Sequence, residues 1–560
     1  MAESFENSLD ELWPNEWRRL DDAETAALRG IFNFAYAWRI EIPRGEHQHP
    51  TVDHLLVLID GSFPFSEIRV CAPQADKQHA DRWPHVEEWG SLCLVKRPFN
   101  LPTGRRIALA ISDAVKVLRL DKDAREGELR REALSYWARE KTPDSRSGLA
   151  IFPPTGLSRS IVHAVHRGAP VFADSAEQMK SWLRNSGVRE PAEPSPAWFT
   201  MLDQPLTPAQ YPINGKDILN ISGHANIAPL LTPPKPFPVL IGMPTPSGPV
   251  FVGTWIKGPP RKTLLKGFRA IANLPQKHIL FCYSGQSVER FNVGRADRAW
   301  VHGRDKDPSS DLLAQKTVAL VGCGALGAEI ARLLAQSGVA RFILIDHDNL
   351  APQNTSRHLL GAADVFRYKT NALSDRLKRD FPHIDSADAF PRRFGDLTKE
   401  QLASVASADL LISSGVSLAV DMQMDRWRKS IKSRSPWMVS WTEEFALAGH
   451  AVLLSPASEL MDLFDDEGKP KRRMTSRWAS GVATLSEAGC GNFFQPYGAA
   501  DLQGTIGLAA RLALDALLGH CAPPCHRVWL GARDRAISLG ATLSDDFDMS
   551  MTERVIPWPQ

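Results

Sequence analysis

Residues 315–350 read QKTVALVGCGALGAEIARLLAQSGVARFILIDHDNL and predict a strand, a glycine-rich turn, an amphipathic helix and a second strand. This order implies a parallel sheet with a right-handed crossover. Gly322, Gly324 and Gly327 form G-x-G-x-x-G directly after the first strand, where glycines allow a tight turn, approach of backbone N–H groups to phosphate, and close helix–strand packing. Asp346 ends the second strand, where a carboxylate commonly binds a ribose hydroxyl. The stretch therefore predicts a nucleotide site.

The residues that follow indicate which nucleotide is bound. Asp348, Asn354, Arg357 and Lys369 come soon after the second strand. An arginine and a lysine near the glycine turn would neutralise a triphosphate and stabilise charge on a pyrophosphate leaving group. NAD has no such leaving group, so an NAD oxidoreductase is a weaker alternative.

Composition limits the class of protein. The 560 residues are 43% hydrophobic and 23% charged, which is typical of a globular protein of roughly three or four domains. The 66 basic and 64 acidic residues balance, so bulk charge gives no support for nucleic-acid or anionic-membrane binding. Seven scattered cysteines do not form a disulfide scaffold, and we find neither a signal peptide nor a run of 18 apolar residues. We expect a cytoplasmic protein.

The segment 300–520 resembles the ThiF-type and ubiquitin-activating enzymes. It carries G-x-G-x-L-G, L-x-D-x-D, N-x-x-R and then a lysine, with further strands at 408–414, 437–442 and 450–454 and a helix at 501–519. The resemblance implies binding of Mg-ATP, adenylation of the C-terminal carboxylate of a ubiquitin-like protein, and pairing as a homodimer through the adenylation domain. It assigns residues as follows: Gly322, Gly324 and Gly327 line the phosphates, Asp346 holds the ribose, Asp348 lies in the same site, and Asn354, Arg357 and Lys369 bind phosphates and orient the carboxylate.

The segment departs from the family pattern at its metal site. The usual magnesium-binding aspartate is replaced by Gly415-Val416-Ser417, and the nearest carboxylate is Asp421, so the metal ligands stay unknown. The CxxC pairs that bind zinc in some bacterial relatives are also missing. Cys521 and Cys525-His526 offer three ligands without a second pair, and free thiols are the preferred interpretation.

Cys490 is the first candidate nucleophile. It lies among small residues in SEAGCGNFFQPYGAADL, and the basic run 469–477 precedes it. A thiolate that attacks an acyl-adenylate needs access and a lowered pKa. The resemblance to activating enzymes with a loop-borne cysteine favours this role over a buried structural thiol.

Cys93 is the second candidate. The segment 20–140 resembles the ubiquitin-conjugating enzymes, because Phe63-Pro64-Phe65 precedes Trp83-Pro84-His85, and Gly90-Ser-Leu92-Cys93-Leu94 follows at the family's spacing. His85 replaces the asparagine that supports the oxyanion, and an imidazole N–H would donate in its place. The alternatives are a core thiol at Cys93 and a surface histidine at position 85. Cys71 and Cys282 lie in apolar runs and are expected in the core, and Cys323 is a small filler between site glycines.

These observations predict an α/β protein with three domains. Residues 1–145 form a ubiquitin-conjugating-like α+β domain, and 146–300 form a middle α+β domain of unknown role. Residues 301–560 form a Rossmann-like adenylation domain with a mainly parallel sheet. We read 1–40 as helical, 142–150 as a linker, and the charged stretch 121–141 as a solvated helix face.

The order of the two resemblances is that of fused bacterial ubiquitin-transfer proteins, including the Cap-type conjugation enzymes of CBASS antiphage operons. It implies ATP-dependent activation of a ubiquitin-like protein or a cGAS-like nucleotidyltransferase, a thioester relay from Cys490 to Cys93, and conjugation to a target lysine. Two alternatives stay open. One is an ATP-binding sensor with inert cysteines, and the other is an adenylyltransferase for sulfur transfer.

Overall fold

A computed structural model of the chain describes residues 2–75, 83–478, 485–486, 493–494, 496–544 and 553–556. Its contacts divide the chain into two compact units. The first comprises residues 1–175 and 194–295, and the second comprises residues 176–193 and 296–560.

The first unit begins with an antiparallel four-stranded sheet covered by helices. The strands follow one another in the order β1-β2-β3-β4. Their bounds and those of the accompanying helices are α1 (Ala2–Leu12), β1 (Trp17–Arg19), α2 (Asp22–Arg29), β2 (Tyr36–Glu41), β3 (His54–Ile59), β4 (Arg69–Cys71) and α3 (Thr103–Leu118). Phe5 of α1 stacks on Trp38 of β2 with ring centroids 4.3 Å apart, and apolar residues of α3 complete this core. The helical prediction for 1–40 is therefore wrong at β1 and β2.

The remainder of the first unit is a closed barrel with two charged helices leading into it. The barrel strands pair in the order β10-β11-β5-β7-β6-β8-β9, and β10 closes the ring by pairing with β9. The elements are α4 (Lys122–Arg131), α5 (Ala133–Arg139), β5 (Gly148–Ala150), β6 (Arg159–His166), β7 (Ala169–Ala173), α6 (Ala176–Asn185, grouped with the second unit), β8 (Ser195–Met201), α7 (Gly215–Ser222), α8 (His224–Ile227), β9 (Phe237–Met243), β10 (Val250–Ile256), α9 (Arg261–Leu264), α10 (Gln276–Ser284) and β11 (Val288–Arg295).

Phenylalanines fill the barrel. The buried rings of this core are Phe152, Phe172, Phe199, Phe251 and Phe291. One expectation fails here: 142–150 is not simply a linker, since its end forms β5. Cys282 is buried as expected, and it lies in helix α10.

The second unit is built on an eight-stranded sheet in the order β14-β13-β12-β15-β16-β17-β21-β23, whose first five strands run parallel. Its elements are α11 (Arg298–Gly303), α12 (Ser309–Ala314), β12 (Thr317–Val321), α13 (Ala325–Gln336), β13 (Arg341–Ile345), α14 (Lys369–Asp380), β14 (Ser386–Phe390), α15 (Lys399–Ala406), β15 (Leu410–Ser414), α16 (Leu418–Ser430), β16 (Trp437–Thr442), β17 (Ala448–Leu454), β18 (Thr475–Arg477), β19 (Leu485–Ser486), β20 (Phe493–Phe494), α17 (Ala499–Leu517), β21 (Cys525–Leu530), α18 (Arg533–Ser538), β22 (Thr542–Leu543) and β23 (Glu553–Ile556).

Both faces of this sheet are covered. Val318 and Leu320 of β12 pack with α13 and α17 on one face, while Ala319 and Val321 pack toward α16 on the other. The chain leaves β12 for β13 on one side and later returns to β15 on the other side. This reversal of strand order opens a crevice at the carboxyl ends of β12 and β15, the place where open α/β sheets bind ligands.

None of the helices in the described part of the chain combines the length and apolar character needed to cross a membrane.

Candidate functional site

The glycine turn lies at this crevice, and steric contacts explain two of its three glycines. Gly322 adopts φ +92°, and a Cβ there would lie 2.4 Å from the Ser414 carbonyl oxygen. A Cβ on Gly327 would lie 1.9 Å from the Gly322 carbonyl oxygen. Any side chain at either position would push β12, α13 and β15 apart. Gly324 has open space instead and immediately precedes α13, so its neighbourhood stays free for a ligand at the helix N-terminus.

A cavity of about 610 Å³ opens in front of this turn. Its lining includes residues at the carboxyl ends of the five parallel strands and at the start of α14. The residues used below are Gly322, Gly324, Asp346, Asp348, Lys369, Arg392, Arg393, Gly415, Val416, Ser417, Thr442 and Tyr497. The volume lies within the usual range for sites that hold a small-molecule ligand.

Hydrogen bonds fix the acidic and basic groups of the cavity. Asp346 accepts the N–H of Cys323 at 2.8 Å and the N–H of Asp348 at 2.9 Å, and each of its oxygens keeps a lone pair for a ligand hydroxyl. Lys369 Nζ donates to Asp348 Oδ2 at 2.8 Å. Burial alone would raise the pKa of Asp348, but the bond from Lys369 and its charge leave that pKa lowered. An ammonium group is therefore held at the cavity wall.

Asn354 and Arg357, which the sequence predicts as phosphate ligands, do not line this cavity. Asn354 Oδ1 accepts the N–H of Ala351, and the Arg357 guanidinium lies 4.9 Å from the Tyr497 ring centre. Tyr497 itself lines the cavity, so Arg357 is one side chain removed from it. The roles predicted for both residues stay predictions.

Sequence reasoning missed two cations of the site. Arg392 and Arg393 line the cavity because they follow β14, whose carboxyl end meets the same sheet edge as Asp346. The signal was available in PRRF after the strand 386–390, but that strand has the weak pattern SADAF and was not recognised.

Asp421, the carboxylate nearest in sequence to Gly415-Val416-Ser417, is buried. It lies in the first turn of α16, 5% exposed, and its Oδ1 has no hydrogen-bond partner among the described residues. Burial raises its pKa to about 7, although a hydrogen bond with Ser413 acts in the opposite direction. It does not line the cavity, and Gly415, Val416 and Ser417 offer no carboxylate there.

The pKa of Asp421 in the folded protein lies above the value of about 3.9 for an exposed aspartate. Its protonated carboxyl therefore contributes to the stability of the folded state in full only below about pH 4. That contribution is lost as the pH rises through 7. Asp421→Asn removes the titration. Between pH 5 and pH 8 we expect the variant to gain about 2–3 kcal/mol relative to the natural protein, measured by urea unfolding at both pH values. Asp388→Asn, on an exposed face of β14, is the control. Parallel pH profiles for all three proteins would refute the assignment.

Cys93 lies in the first unit, exposed beside a groove of about 220 Å³. Its N–H donates to the His85 carbonyl oxygen at 2.8 Å, and the segment is held to β4 by the Leu92 N–H bond to Val70. Burial, Glu87 and Glu132 together raise the pKa of the thiol. The expectation of a core thiol is excluded for Cys93, because its side chain is accessible.

The His85 ring is bound by carboxylates. Its Nε2 lies 3.0 Å from Glu128 Oε2, and its Nδ1 lies 3.6 Å from Glu132 Oε2. The side chain is 13% exposed, so a surface histidine is excluded at this position.

Cys490 lies outside the described residues. The other thiols do not have the exposure of Cys93. Cys71, Cys282 and Cys323 are buried, with the pKa of Cys71 raised by burial to about 12. Cys521 and Cys525 are half-buried beside one another, and His526 is bound elsewhere.

A buried polar chain lies beyond the cavity residue Thr442. Glu443 accepts the N–H groups of Met474 and Thr475, both at 2.7 Å, and binds His450 Nε2 at 2.8 Å. His450 Nδ1 lies 3.0 Å from His526 Nε2. Burial opposes ionisation of Glu443, but these bonds outweigh it and lower its pKa. The carboxylate thus anchors the chain just before the segment that carries Cys490.

Residues 303–489 match the model of the ThiF family. The chain is 28% identical over 244 residues to ATP-dependent ubiquitin transferase-like protein Cap2 of Pseudomonas aeruginosa, which is 43% of each chain. It is 36% identical over 113 residues to the Cap2 protein of Vibrio cholerae, 19% of each chain. It is also 27% identical over 160 residues to ubiquitin-like modifier-activating enzyme 5 of Caenorhabditis elegans, 26% of this chain and 36% of that one.

Among solved structures, Escherichia coli MccB with MccA-N7isoASN matches with a TM-score of 0.32 and 17% identity, covering 45% of this chain and 67% of that one. The chain spans less than half the length of each curated relative named here. The resemblance of the C-terminal part to ThiF-type proteins is confirmed, and its parallel α/β sheet agrees with it.

Proposed function

We propose that the second unit adenylates a carboxylate with ATP. The observation that carries this proposal is the cavity in which the glycine turn meets three cations, Lys369, Arg392 and Arg393. Three positive charges suit a triphosphate and its pyrophosphate leaving group better than the diphosphate of NAD. The similarity to Cap2 and to the ThiF family supports the same reaction.

The position of each residue in the cavity gives it a separate role in this reaction. Asp346 accepts the ribose hydroxyls, the N–H groups at the start of α13 bind phosphate, and Lys369, Arg392 and Arg393 neutralise the charge of the pyrophosphate. The carboxylate oxygen of the substrate attacks the α-phosphorus, the bond to pyrophosphate breaks, and an acyl-adenylate remains. Asn354 and Arg357 lie outside the cavity lining. Their predicted role therefore requires that the segment carrying them moves toward the cavity when the substrate binds.

Mg²⁺ belongs to the proposed reaction only as an expectation from the family. The carboxylates that line the cavity within the described ranges are Asp346 and Asp348, and both already accept hydrogen bonds. Gly415, Val416 and Ser417, which follow β15, add no carboxylate. The remaining lone pairs of Asp346 and Asp348, which form one cluster with His347, would hold Mg²⁺ together with the substrate phosphates, where the ion would neutralise charge on the pyrophosphate.

We further propose that Cys490 attacks the acyl-adenylate and that the acyl group then passes to Cys93. The acyl carbon moves from phosphate oxygen to sulfur, AMP leaves, and one thiol replaces another in the second step. An amine, the lysine of a target protein, takes the acyl group as an amide. The exposure of Cys93, and its place beside a four-stranded antiparallel sheet covered by helices, support its part in the relay.

The activated partner in this proposal is a ubiquitin-like protein or a cGAS-like nucleotidyltransferase. The names of the Cap2 relatives support a ubiquitin-type reaction. Pairing as a homodimer through the adenylation domain, a cytoplasmic location and a role in antiphage defence belong to the same proposal, as does the assignment of residues 1–145, 146–300 and 301–560 to three domains.

Trapping tests the relay. Cys93→Ser, expressed in the source cells and purified without thiol reductant, should carry a protein-sized mass that mild base removes, because a serine oxyester cleaves more slowly than a thioester. Cys71→Ser, at a buried cysteine, is the matched control: it keeps Cys93, whose thioester passes on to an amine, so the adduct should accumulate less than the oxyester on Cys93→Ser. Absence of an adduct on Cys93→Ser, with ATP still bound, would reject conjugation.

One observation favours a second function. The family's usual metal-binding aspartate is replaced at Gly415-Val416-Ser417, as an ATP-binding sensor without catalysis would show. Carboxylate-dependent exchange of labelled pyrophosphate into ATP would reject the sensor function.

The other alternative, an adenylyltransferase for sulfur transfer, has no use for the Cys93 thiol. Retention of activity in Cys93→Ala would indicate that function.

A further inference from the structure

One helical face of the first unit is directed at His85. Glu128, Glu132 and Tyr136 are spaced by four residues across the end of α4 and the start of α5. Glu128 and Glu132 contact the two ring nitrogens of His85, and the Tyr136 hydroxyl accepts its backbone N–H at 2.9 Å. The ring and the backbone of one residue are thus held from the same side.

The face is itself anchored. Arg131 donates to Glu128 Oε2 at 2.5 Å and to Glu132 Oε1 at 3.2 Å, so the two carboxylates are partly neutralised and fixed together. Tyr136 and Trp137 are buried in the core shared with the barrel, where Trp137 Nε1 donates to the Phe291 carbonyl oxygen at 3.0 Å. With an arginine already bound to both carboxylates, a positioning role explains the cluster better than a metal site does.

The bond to Glu128 decides which nitrogen is left for chemistry. An ionised carboxylate only accepts, so His85 Nε2 carries the proton and donates it to Glu128. Nδ1 is then the acceptor nitrogen; it is buried and has no hydrogen-bond partner among the described residues, so a proton reaches it by way of Glu132 and not from the amine directly. Glu132 Oε2 lies 3.6 Å away from it.

Glu132 also acts electrostatically on Cys93. It contributes to the raised pKa of the Cys93 thiol, after burial and Glu87. The Glu132 side chain is 31% exposed, and an incoming amine can therefore reach it. The backbone bond from Cys93 to the His85 carbonyl and the bridge between Val86 and Leu92 keep the two segments in register.

We propose, resting on the proposed acyl transfer at Cys93, that the His85–Glu132 pair accepts the proton of the incoming amine and that Glu128 is the positioning residue that fixes the His85 ring. The ammonium loses one proton to the pair, and its nitrogen bonds to the acyl carbon. The carbon–sulfur bond breaks, and the second proton goes to the departing Cys93 sulfur. The imidazolium that forms lies between two carboxylates, which stabilise it. This assigns His85 a base role in place of the oxyanion donor expected from sequence.

The test uses the full chain in a Cys490→Ala background. N-acetylglycine phenyl thioester acylates Cys93 by thiol exchange, and peptide mass mapping confirms the position. Aminolysis by Nα-acetyl-lysine is then followed by mass spectrometry in the parent, His85→Asn, Glu128→Gln and Glu128→Ala. Glu126→Gln, on the same helix and paired with Arg130, is the matched control.

At pH 7, where a lysine amine is almost fully protonated, we expect His85→Asn and Glu128→Ala to react about tenfold or more slowly than the parent. Near pH 10.5 the free amine needs less help and the difference should shrink below about twofold. Glu128→Gln keeps an oxygen that accepts from Nε2–H and should retain at least about a third of the rate. Glu126→Gln should match the parent.

Results that contradict the inference are distinct from a result that contradicts the proposed function of Cys93. Equal rates for the parent, His85→Asn and Glu128→Ala at pH 7 overturn the inference. Loss of aminolysis that is matched by an equal loss of iodoacetamide alkylation at unacylated Cys93 also overturns it, since that pattern indicates disruption of the loop. A parent acyl-Cys93 that reacts no faster than acylated N-acetylcysteine would instead reject the proposed function of Cys93.

Discussion

Lys369→Ala should weaken ATP binding by about tenfold or more, measured by isothermal titration calorimetry on the full chain. The Lys369 side chain is 11% exposed, lines the cavity and is held in place by Asp348. Charge-assisted hydrogen bonds to phosphate are about twice as strong as neutral ones, and a partly buried ammonium is poorly screened by salt. Its removal also leaves Asp348, whose pKa Lys369 lowers, as an unpaired negative charge facing the phosphates.

Lys378→Ala supplies the comparison for this experiment. Lys378 lies on the same helix, α14, but outside the nucleotide cavity, so its loss should change ATP affinity by less than about twofold. Lys369→Arg keeps a positive charge and should retain part of the affinity. Equal ATP affinity in Lys369→Ala and Lys378→Ala would show that this cavity does not bind the triphosphate.

Glu443→Ala should destabilise the second unit by about 3–5 kcal/mol in urea unfolding. The Glu443 carboxylate is 5% exposed and forms hydrogen bonds with His450, Met474 and Thr475. Its loss therefore leaves several buried donors without a partner. Because its pKa is lowered in the folded state, this contribution is present above the unfolded value of about 4.3 and is lost as pH falls through the folded one.

The size of the expected loss of stability distinguishes Glu443 from a surface carboxylate. Glu459→Ala removes the partner of Lys429 at a side chain 59% exposed, and it should cost less than about 1 kcal/mol. A similar, small loss of stability in Glu443→Ala and Glu459→Ala would mean that the buried chain from Glu443 to His526 does not hold residues 474–475.

Strong local patterns predicted much of the fold. The stretch 437–442 forms β16 at the predicted bounds, and β12, α13 and β13 follow one another as the stretch 315–350 predicts. Elements whose stability comes from distant contacts were missed. β14 has only the weak strand pattern SADAF. β5 has only three residues, which pair with the neighbouring barrel strands β7 and β11.

The candidate nucleotide site is predictable from sequence to the extent that its residues lie on one β-α-β unit. Gly322, Gly324, Asp346, Asp348 and Lys369 all line one cavity, since each follows the end of a strand or begins the next helix. Arg392 and Arg393 were missed because their place at the cavity depends on the order of strands in the sheet.

The surroundings of Cys93 show the same limit. The stretch 121–141 has the charge pattern of a solvated helix, and the pair Glu126–Arg130 behaves in that way. Glu128 and Glu132 share that pattern, yet they contact His85, more than 40 residues away along the chain. A charge pattern gives the periodicity of a helix but not the loop against which one of its faces packs.

The closed barrel has a consequence for how an extended protein tail can dock. A tail that binds by strand addition needs an open row of backbone N–H and C=O groups. Every strand of the barrel pairs on both sides, and phenylalanines occupy its interior, so it offers no such row. Among the two larger sheets in the described ranges, outer strands are found at β1 and β4 of the first unit and at β14 and β23 of the second. A flexible C-terminus that binds by strand addition would therefore use an outer strand of these sheets, or of the two-stranded sheets β18–β22 and β19–β20, and not the barrel.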